Sequence, residues 1–181
     1  MLMAEPCATV RSAVAQDAPA VASIYAHHVA HGTASFDTKP RAVHETESKI
    51  AEYGERGWPF LVAVDGGLVV GYSYATQFRD RPAYAFTCEN SIYVAPTHQG
   101  RGIGTALLAA LLASAEEAGF RQMVAVIGGA EPASFALHAR AGFEEAGRMK
   151  SVGRKFGHWL DSLYMQRPLG LGDGQAPSIE P

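Results

Sequence analysis

The residues His98-Gln99-Gly100-Arg101-Gly102-Ile103-Gly104-Thr105 constrain this chain more than any other stretch. They follow an extended run that Pro96 stops. They precede a helical run in which Leu107, Leu108, Leu111 and Leu112 recur at helical spacing until Gly119. Met123 to Ile127 is then short, apolar and β-branched, the pattern of a buried strand. Ser91 to Ile127 is therefore expected to form a β-turn-α-β unit. At the start of its helix the first N–H groups lack partners and the positive pole of the dipole lies behind them, so a phosphate can bind through main-chain contacts. Glycine removes the Cβ atoms that would hold a ligand off the backbone, and Arg101 adds a countercharge.

Two common nucleotide loops do not fit. A P-loop needs Lys and then Ser or Thr after its last glycine, whereas Ile103 follows Gly102 and Thr105 follows Gly104. A dinucleotide fingerprint needs G-x-G-x-x-G and an acidic residue about 20 positions on; the spacing here is G-x-G-x-G, and Val124 stands where the acid belongs.

The remainder reads as one layered domain. With 181 residues, 48% of them hydrophobic, the chain has enough apolar surface for a core, and 18% charged residues with a net charge of −3 exclude disorder and argue against nucleic acid as partner. Asp17 and Pro19 open an amphipathic helix that Gly32 stops, and Val43 to Tyr53 predicts a second, polar helix. Phe60 to Val64, the Asp65-Gly66 turn and Leu68 to Ala75 predict a hairpin, followed by an extended run from about Tyr84 to Val94. After the Ser91–Ile127 unit come a short helix, Ser134 to Arg140, and two strands near Glu144 to Val152 and Leu160 to Gln166. The order is α, α, β, β, β, α, β, α, β, β, an α/β fold with a mixed sheet covered by helices. Residues 1–8 and 169–181 are expected as tails, the second disordered, around a domain at 9–168. Cys7 and Cys88 have no disulfide or zinc spacing, and neither a spanning segment nor a signal peptide is apparent, so a reduced, cytoplasmic protein without a membrane partner is expected. The trio His27, His28 and His31 lacks a further ligand and HExxH is absent, so no metal is expected.

The run Gln99-x-x-Gly102-x-Gly104 resembles the pyrophosphate loop of the GCN5-related N-acetyltransferases (GNAT). Similarity extends from about Thr9 to Pro168 through Thr33-Ala34-Ser35-Phe36-Asp37, Glu89-Asn90-Ser91-Ile92-Tyr93-Val94, Val124-Ala125-Val126-Ile127 and Lys155-Phe156-Gly157-His158-Trp159-Leu160-Asp161. These segments resemble the phosphinothricin and methionine sulfone or sulfoximine acetyltransferases. The resemblance implies a GNAT fold, with a mixed, largely antiparallel sheet of about seven strands splayed at a V between strands 4 and 5 and flanked by helices. It implies acetyl-CoA as cosubstrate, a small amino-acid-like acceptor and a homodimer.

The resemblance also assigns residues. Ile92, Tyr93 and Val94 would lend main-chain groups to the pantetheine arm, and Gln99, Gly100, Arg101, Gly102, Ile103, Gly104 and Thr105 would hold the pyrophosphate. Ser134 keeps a cofactor position, while Glu131 stands where the family usually has Asn, and a carboxylate cannot donate as an amide does. Glu89 is placed as the base or as a clamp on the substrate ammonium, since the amine must lose a proton to attack. His138 falls where relatives carry a thiolate-protonating tyrosine or a histidine, and is read as acid, relay or substrate contact. Arg79 and Arg81 would hold a carboxylate, Phe36 would line the acceptor pocket, and Asn90 and Ser91 would adjoin the amine. His158 and Trp159 are read as structural or interfacial. Acetylation of protein N-termini or polyamines, or a non-catalytic acetyl-CoA-binding module, stand as alternatives.

Overall fold

The structure, a computed structural model, describes residues 8–181. Seven strands, β1 (Ala8–Ser12), β2 (Phe60–Asp65), β3 (Leu68–Gln77), β4 (Thr87–Val94), β5 (Gln122–Gly128), β6 (Glu144–Lys155) and β7 (His158–Pro168), form one sheet in the order β1-β2-β3-β4-β5-β7-β6. The described residues also form four α-helices, α1 (Ala18–His31), α2 (Val43–Arg56), α3 (Ile103–Glu117) and α4 (Pro132–Arg140). Only β4 and β5 pair in parallel, with α3 in the crossover that a parallel pair needs; every other neighbouring pair is antiparallel.

Alternation along the strands sorts the core into two layers. Phe60, Val62, Tyr72, Tyr74 and Tyr93 face α1 and α2, where Val21, Ile24, Tyr25, Val29, Ile50 and Tyr53 meet them. Leu61, Ala63, Ala75 and Cys88 face the other side, under Leu107, Leu108 and Leu111 of α3. The first two turns of α3 lie so close to the sheet that a Cβ on Gly71 would come within 3.3 Å of Ile103 and 3.0 Å of Leu107. That contact fixes where the helix begins relative to β4.

The elements follow the sequence with definite exceptions. Strand β1 is not legible in the residue pattern: it has five residues, mostly exposed, at a sheet edge, and is held by its ladder with Leu61–Asp65. It starts at Ala8, assigned above to a tail; the rest of that tail, residues 1–7, lies outside the described residues. Helix α2 runs past Tyr53 to Arg56, supported by an Arg56–Glu52 ion pair, and stops at Gly57, whose φ of 66° closes it. The turn of the β2–β3 hairpin is Gly66-Gly67, with φ of 55° and 83°, the positive values a two-residue turn needs at both central positions. The run expected from Tyr84 begins at Thr87, because Pro82–Tyr84 is a short helical turn. After Pro168 the chain makes only turns, although Leu169 is still buried in the core. Among the described residues no helix is long and apolar enough to cross a membrane.

Candidate active site

The sheet opens in its middle. Strands β4 and β5 pair only from Thr87↔Gln122 to Asn90↔Ala125, and no register pair joins Ser91–Val94 to Val126–Gly128. Ladder parity shows which peptide groups face the gap. Phe78 N–H donates to the Thr87 carbonyl and Ala95 N–H to the Val70 carbonyl. With the register between them, this assigns the peptide groups of Glu89, Ser91 and Tyr93 to β3 and turns those of Ile92 and Val94 the other way. The Val94 carbonyl is taken by Nε2 of His28, 2.9 Å away. Both peptide groups of Ile92 and the N–H of Val94 remain for a ligand in the opening.

One end of the gap meets the glycine turn. Gly100 and Gly102 hold φ of 73° and 79°, and Gly102 is the N-cap of α3 with no side-chain cap on the helix. A fifteen-residue helix thus presents uncapped N–H groups with no carboxylate in its first turn. Ile103 is buried against Ala63, Val70 and Leu107 and offers only its backbone.

The opening is part of a cleft of about 800 Å³ that runs from this glycine turn to the loop after α1. Glu89 and Ser91 line it, their side chains on the Tyr93 face of β4. Burial pushes the Glu89 carboxyl above its ordinary value, and the positive charge of Arg79 opposes that rise. Opposite stands the loop 32–37 that follows α1. Lys155 on β6, 6% exposed, donates from Nζ to the Gly32 and Ser35 carbonyls at 2.8 and 2.7 Å. Phe36 lies in a slot between two glycines: a Cβ on Gly153 would sit 2.3 Å from its Cε2, and one on Gly128 would sit 2.9 Å from Cε1 and 2.4 Å from the Thr33 carbonyl. Two strands and a lysine therefore hold the loop against the cleft.

A parallel pair that splays beside an uncapped glycine-led helix has close counterparts among known proteins. The sequence profile of the Acetyltransferase (GNAT) family matches residues 22–143. The chain belongs to the GNAT acetyltransferase family. It is 46% identical over 176 residues to a phosphinothricin N-acetyltransferase of Alcaligenes faecalis, covering 97% of this chain and 89% of that one. It is 38% identical to an L-methionine sulfoximine/L-methionine sulfone acetyltransferase of Salmonella typhimurium, covering 93% and 98%. The GNAT phosphinothricin acetyltransferase of Sinorhizobium meliloti, solved in complex with AcCoA, superposes with a TM-score of 0.93 at 46% identity, over 95% of this chain and 94% of that one.

The residues present fit the acetyl-CoA of this GNAT family. The open peptide groups of Ile92 and Val94 suit an arm rich in amides, and the uncapped start of α3 suits a pyrophosphate. Of the loop residues, Gln99, Gly100, Gly102, Gly104 and Thr105 line the cleft, as does Ser134. Arg101 is exposed and off its wall. Tyr93 contributes its buried ring, whereas its peptide groups belong to β3. Glu131 caps α4: its carboxylate accepts from Ala133 N–H at 3.2 Å and Ser134 N–H at 2.7 Å, so the residue that replaces the family Asn is engaged within its own helix.

Phe36, Glu89, Asn90, Ser91 and His138 are brought together on the cleft wall. Arg79 and Arg81 are not; both are exposed in the loop after β3, where the side chain of Gln77 donates to their carbonyls. Arg41 and Arg140 are the arginines on the wall; the Arg41 guanidinium lies 4.5 Å over the Tyr25 ring and 3.4 Å from both Asp37 and the Tyr25 hydroxyl. Tyr25 itself donates to Asp37. Sequence reasoning missed Arg41 because it stands between helices among ordinary surface charges. It gave Lys155 no role, since the lysine acts on a loop 120 residues away in sequence.

Proposed function

We propose that this enzyme transfers the acetyl group of acetyl-CoA to the α-amine of a small amino-acid-like acceptor of the phosphinothricin, methionine sulfoximine or methionine sulfone type. The observation that carries this reading is Glu89, a partly buried carboxylate with raised proton affinity where β4 and β5 part, in the same cleft as the glycine-led helix. The relatives named for those acceptors cover nearly the whole chain.

When bound, acetyl-CoA supplies an acyl group activated as a thioester. Ile92 and Val94 orient it through main-chain hydrogen bonds, and the first N–H groups of α3 hold its phosphates. Glu89 accepts one proton from the acceptor ammonium, directly or through water. The freed nitrogen then forms the amide bond as the carbon–sulfur bond breaks, the electron pair leaving on sulfur. A carboxylate whose proton affinity is raised by burial is a stronger base, which is the direction this task requires. Phe36 bounds the acceptor's side chain, Ser91 adjoins its amine, and Arg79 and Arg81, exposed in the loop after β3, supply positive charge for its carboxylate.

The enzyme acts as a cytoplasmic homodimer in this reading. The β6–β7 hairpin exposes Met149, Val152, Phe156 and Trp159, an apolar surface suited to a second copy. Sedimentation as a dimer supports that assembly, and a monomer at micromolar concentration contradicts it.

The test of the activity is a panel of acceptors ranked by kcat/KM from thiol release: the three amino-acid analogues, a peptide with a free N-terminus, and a polyamine. The analogues should rank first. Preference for the peptide or the polyamine, or tight acetyl-CoA binding without any product, would overturn the reading.

A further inference from the structure

His138 and Asn90 meet where α4 packs on β4, and their hydrogens can be counted. Nδ1 of His138 lies 2.8 Å from the Ser134 carbonyl oxygen, and Nε2 lies 3.1 Å from Oδ1 of Asn90. His138 is 4% exposed and Asn90 7%. The amide nitrogen of Asn90 is buried with no hydrogen-bond partner.

A carbonyl oxygen only accepts, so the bond to Ser134 requires hydrogen on Nδ1. With Oδ1 facing Nε2, that nitrogen would need hydrogen as well, and the ring would be an imidazolium. Its surroundings oppose that. The ring packs edge-on to Phe143 at 5.0 Å, and the groups against it are the Ser134 carbonyl and the Asn90 amide, neither of them charged. Burial accordingly lowers the proton affinity of His138, with only the bond to Ser134 working the other way. Turning the Asn90 amide over, which barely changes its shape, removes both difficulties. The orphan nitrogen gains an acceptor, Nε2 gains a donor, and the group left over is a carbonyl oxygen on the cleft wall, a commoner state for a buried group than an unpaired N–H.

We propose that Asn90 is a positioning residue whose amide nitrogen donates to Nε2 of His138 and so holds the imidazole as its neutral Nδ1–H tautomer. The inference rests on reading this cleft as the site of acetyl transfer, and it narrows what His138 does there. In this form Nε2 has no proton to give a departing sulfur, and the Nδ1 proton is committed to the helix. His138 braces β4 through Asn90, next to Glu89, and the sulfur receives its proton from the acceptor nitrogen or from water.

The experiment is long-range 1H–15N NMR on the full chain labelled at histidine, with the His138 signals assigned by their loss in His138→Gln. One protonated Nδ1 and one bare Nε2 are expected between about pH 6 and 8, the range in which an ordinary histidine changes charge. Asn90→Asp, whose carboxylate can only accept, should raise the proton affinity of the ring at least about tenfold, the low end for an adjacent opposite charge. A wild-type ring that is doubly protonated at neutral pH, or protonated at Nε2 alone, overturns the proposal. So does an Asn90→Asp titration within about twofold of wild type. If that variant does not fold, the wild-type spectrum decides alone. The readout needs no turnover, so a failure of the acetyl-transfer reading would appear separately, in the acceptor panel.

Discussion

Replacing Gly153 by Ala tests whether the slot around Phe36 sets the acceptor pocket. The backbone of Gly153 is not in the left-handed region, so alanine meets no conformational penalty there; the whole effect comes from its methyl group. That group would sit 2.3 Å from Cε2, 2.6 Å from Cδ2 and 2.9 Å from Cζ of Phe36. Carbon atoms in good contact stand about 3.5–4.0 Å apart, so the ring must move by roughly 1 Å or more. Its other face cannot yield, because the backbone of Gly128 and the Thr33 carbonyl lie there. Phe36 is 38% exposed, so its one escape is outward into the cleft. Overpacking of this kind costs about 1–3 kcal/mol, or about 2–12 °C in Tm for a domain of this size. Thermal unfolding should show that loss, and the KM for the acceptor should rise while the KM for acetyl-CoA does not. The decisive comparison is a double-mutant cycle. In the Phe36→Ala background the ring is gone, and Gly153→Ala should cost under about 0.5 kcal/mol, the range of a neutral substitution. An equal penalty in both backgrounds refutes the argument.

Three further outcomes follow from the same geometry. Lys155→Met removes two charge-assisted hydrogen bonds and leaves the Gly32 and Ser35 carbonyls unpaired; it should cost on the order of 2 kcal/mol in chemical denaturation and weaken acceptor more than acetyl-CoA. Gly102→Val puts a β-branched residue at φ 79° and a side chain at the start of α3, so calorimetry should show acetyl-CoA affinity reduced at least about tenfold with secondary structure retained. Glu89→Gln should raise Tm at neutral pH. Its folded proton affinity is above the unfolded value, so the contribution of Glu89 to stability is fully present below the unfolded pKa and is lost as pH rises through the folded one. The neutral amide removes that loss, and the Tm difference between variant and wild type should shrink as pH falls toward about 4, near the unfolded pKa of a glutamate.

What the sequence made legible was local. The turn at Gly100–Gly104 could be read because its signals, Pro96, alternating glycines and leucines at helical spacing, are neighbours in the chain. Glu89 could be placed because a recognisable segment surrounds it. The cleft wall around Phe36 depends on contacts remote in sequence: Phe36 owes its position to Gly128 and Gly153, and loop 32–37 to Lys155. No periodicity encodes such pairs. Strand β1 escaped the residue pattern because an exposed edge strand needs no alternating apolar face. Ladder parity, which separates the peptide groups of Ile92 and Val94 from those of Tyr93, emerged only once the register was fixed.

In the proposed reaction Glu89, where β4 and β5 part, takes the proton that frees the acceptor amine. The rate of acetylated product formation by Glu89→Gln, at saturating acetyl-CoA and acceptor and followed by mass spectrometry, tests it most directly. Turnover about 100-fold below wild type, the low end of general-base contributions, with acetyl-CoA affinity intact, is the predicted result. Wild-type turnover in that variant would remove Glu89 from the proton transfer.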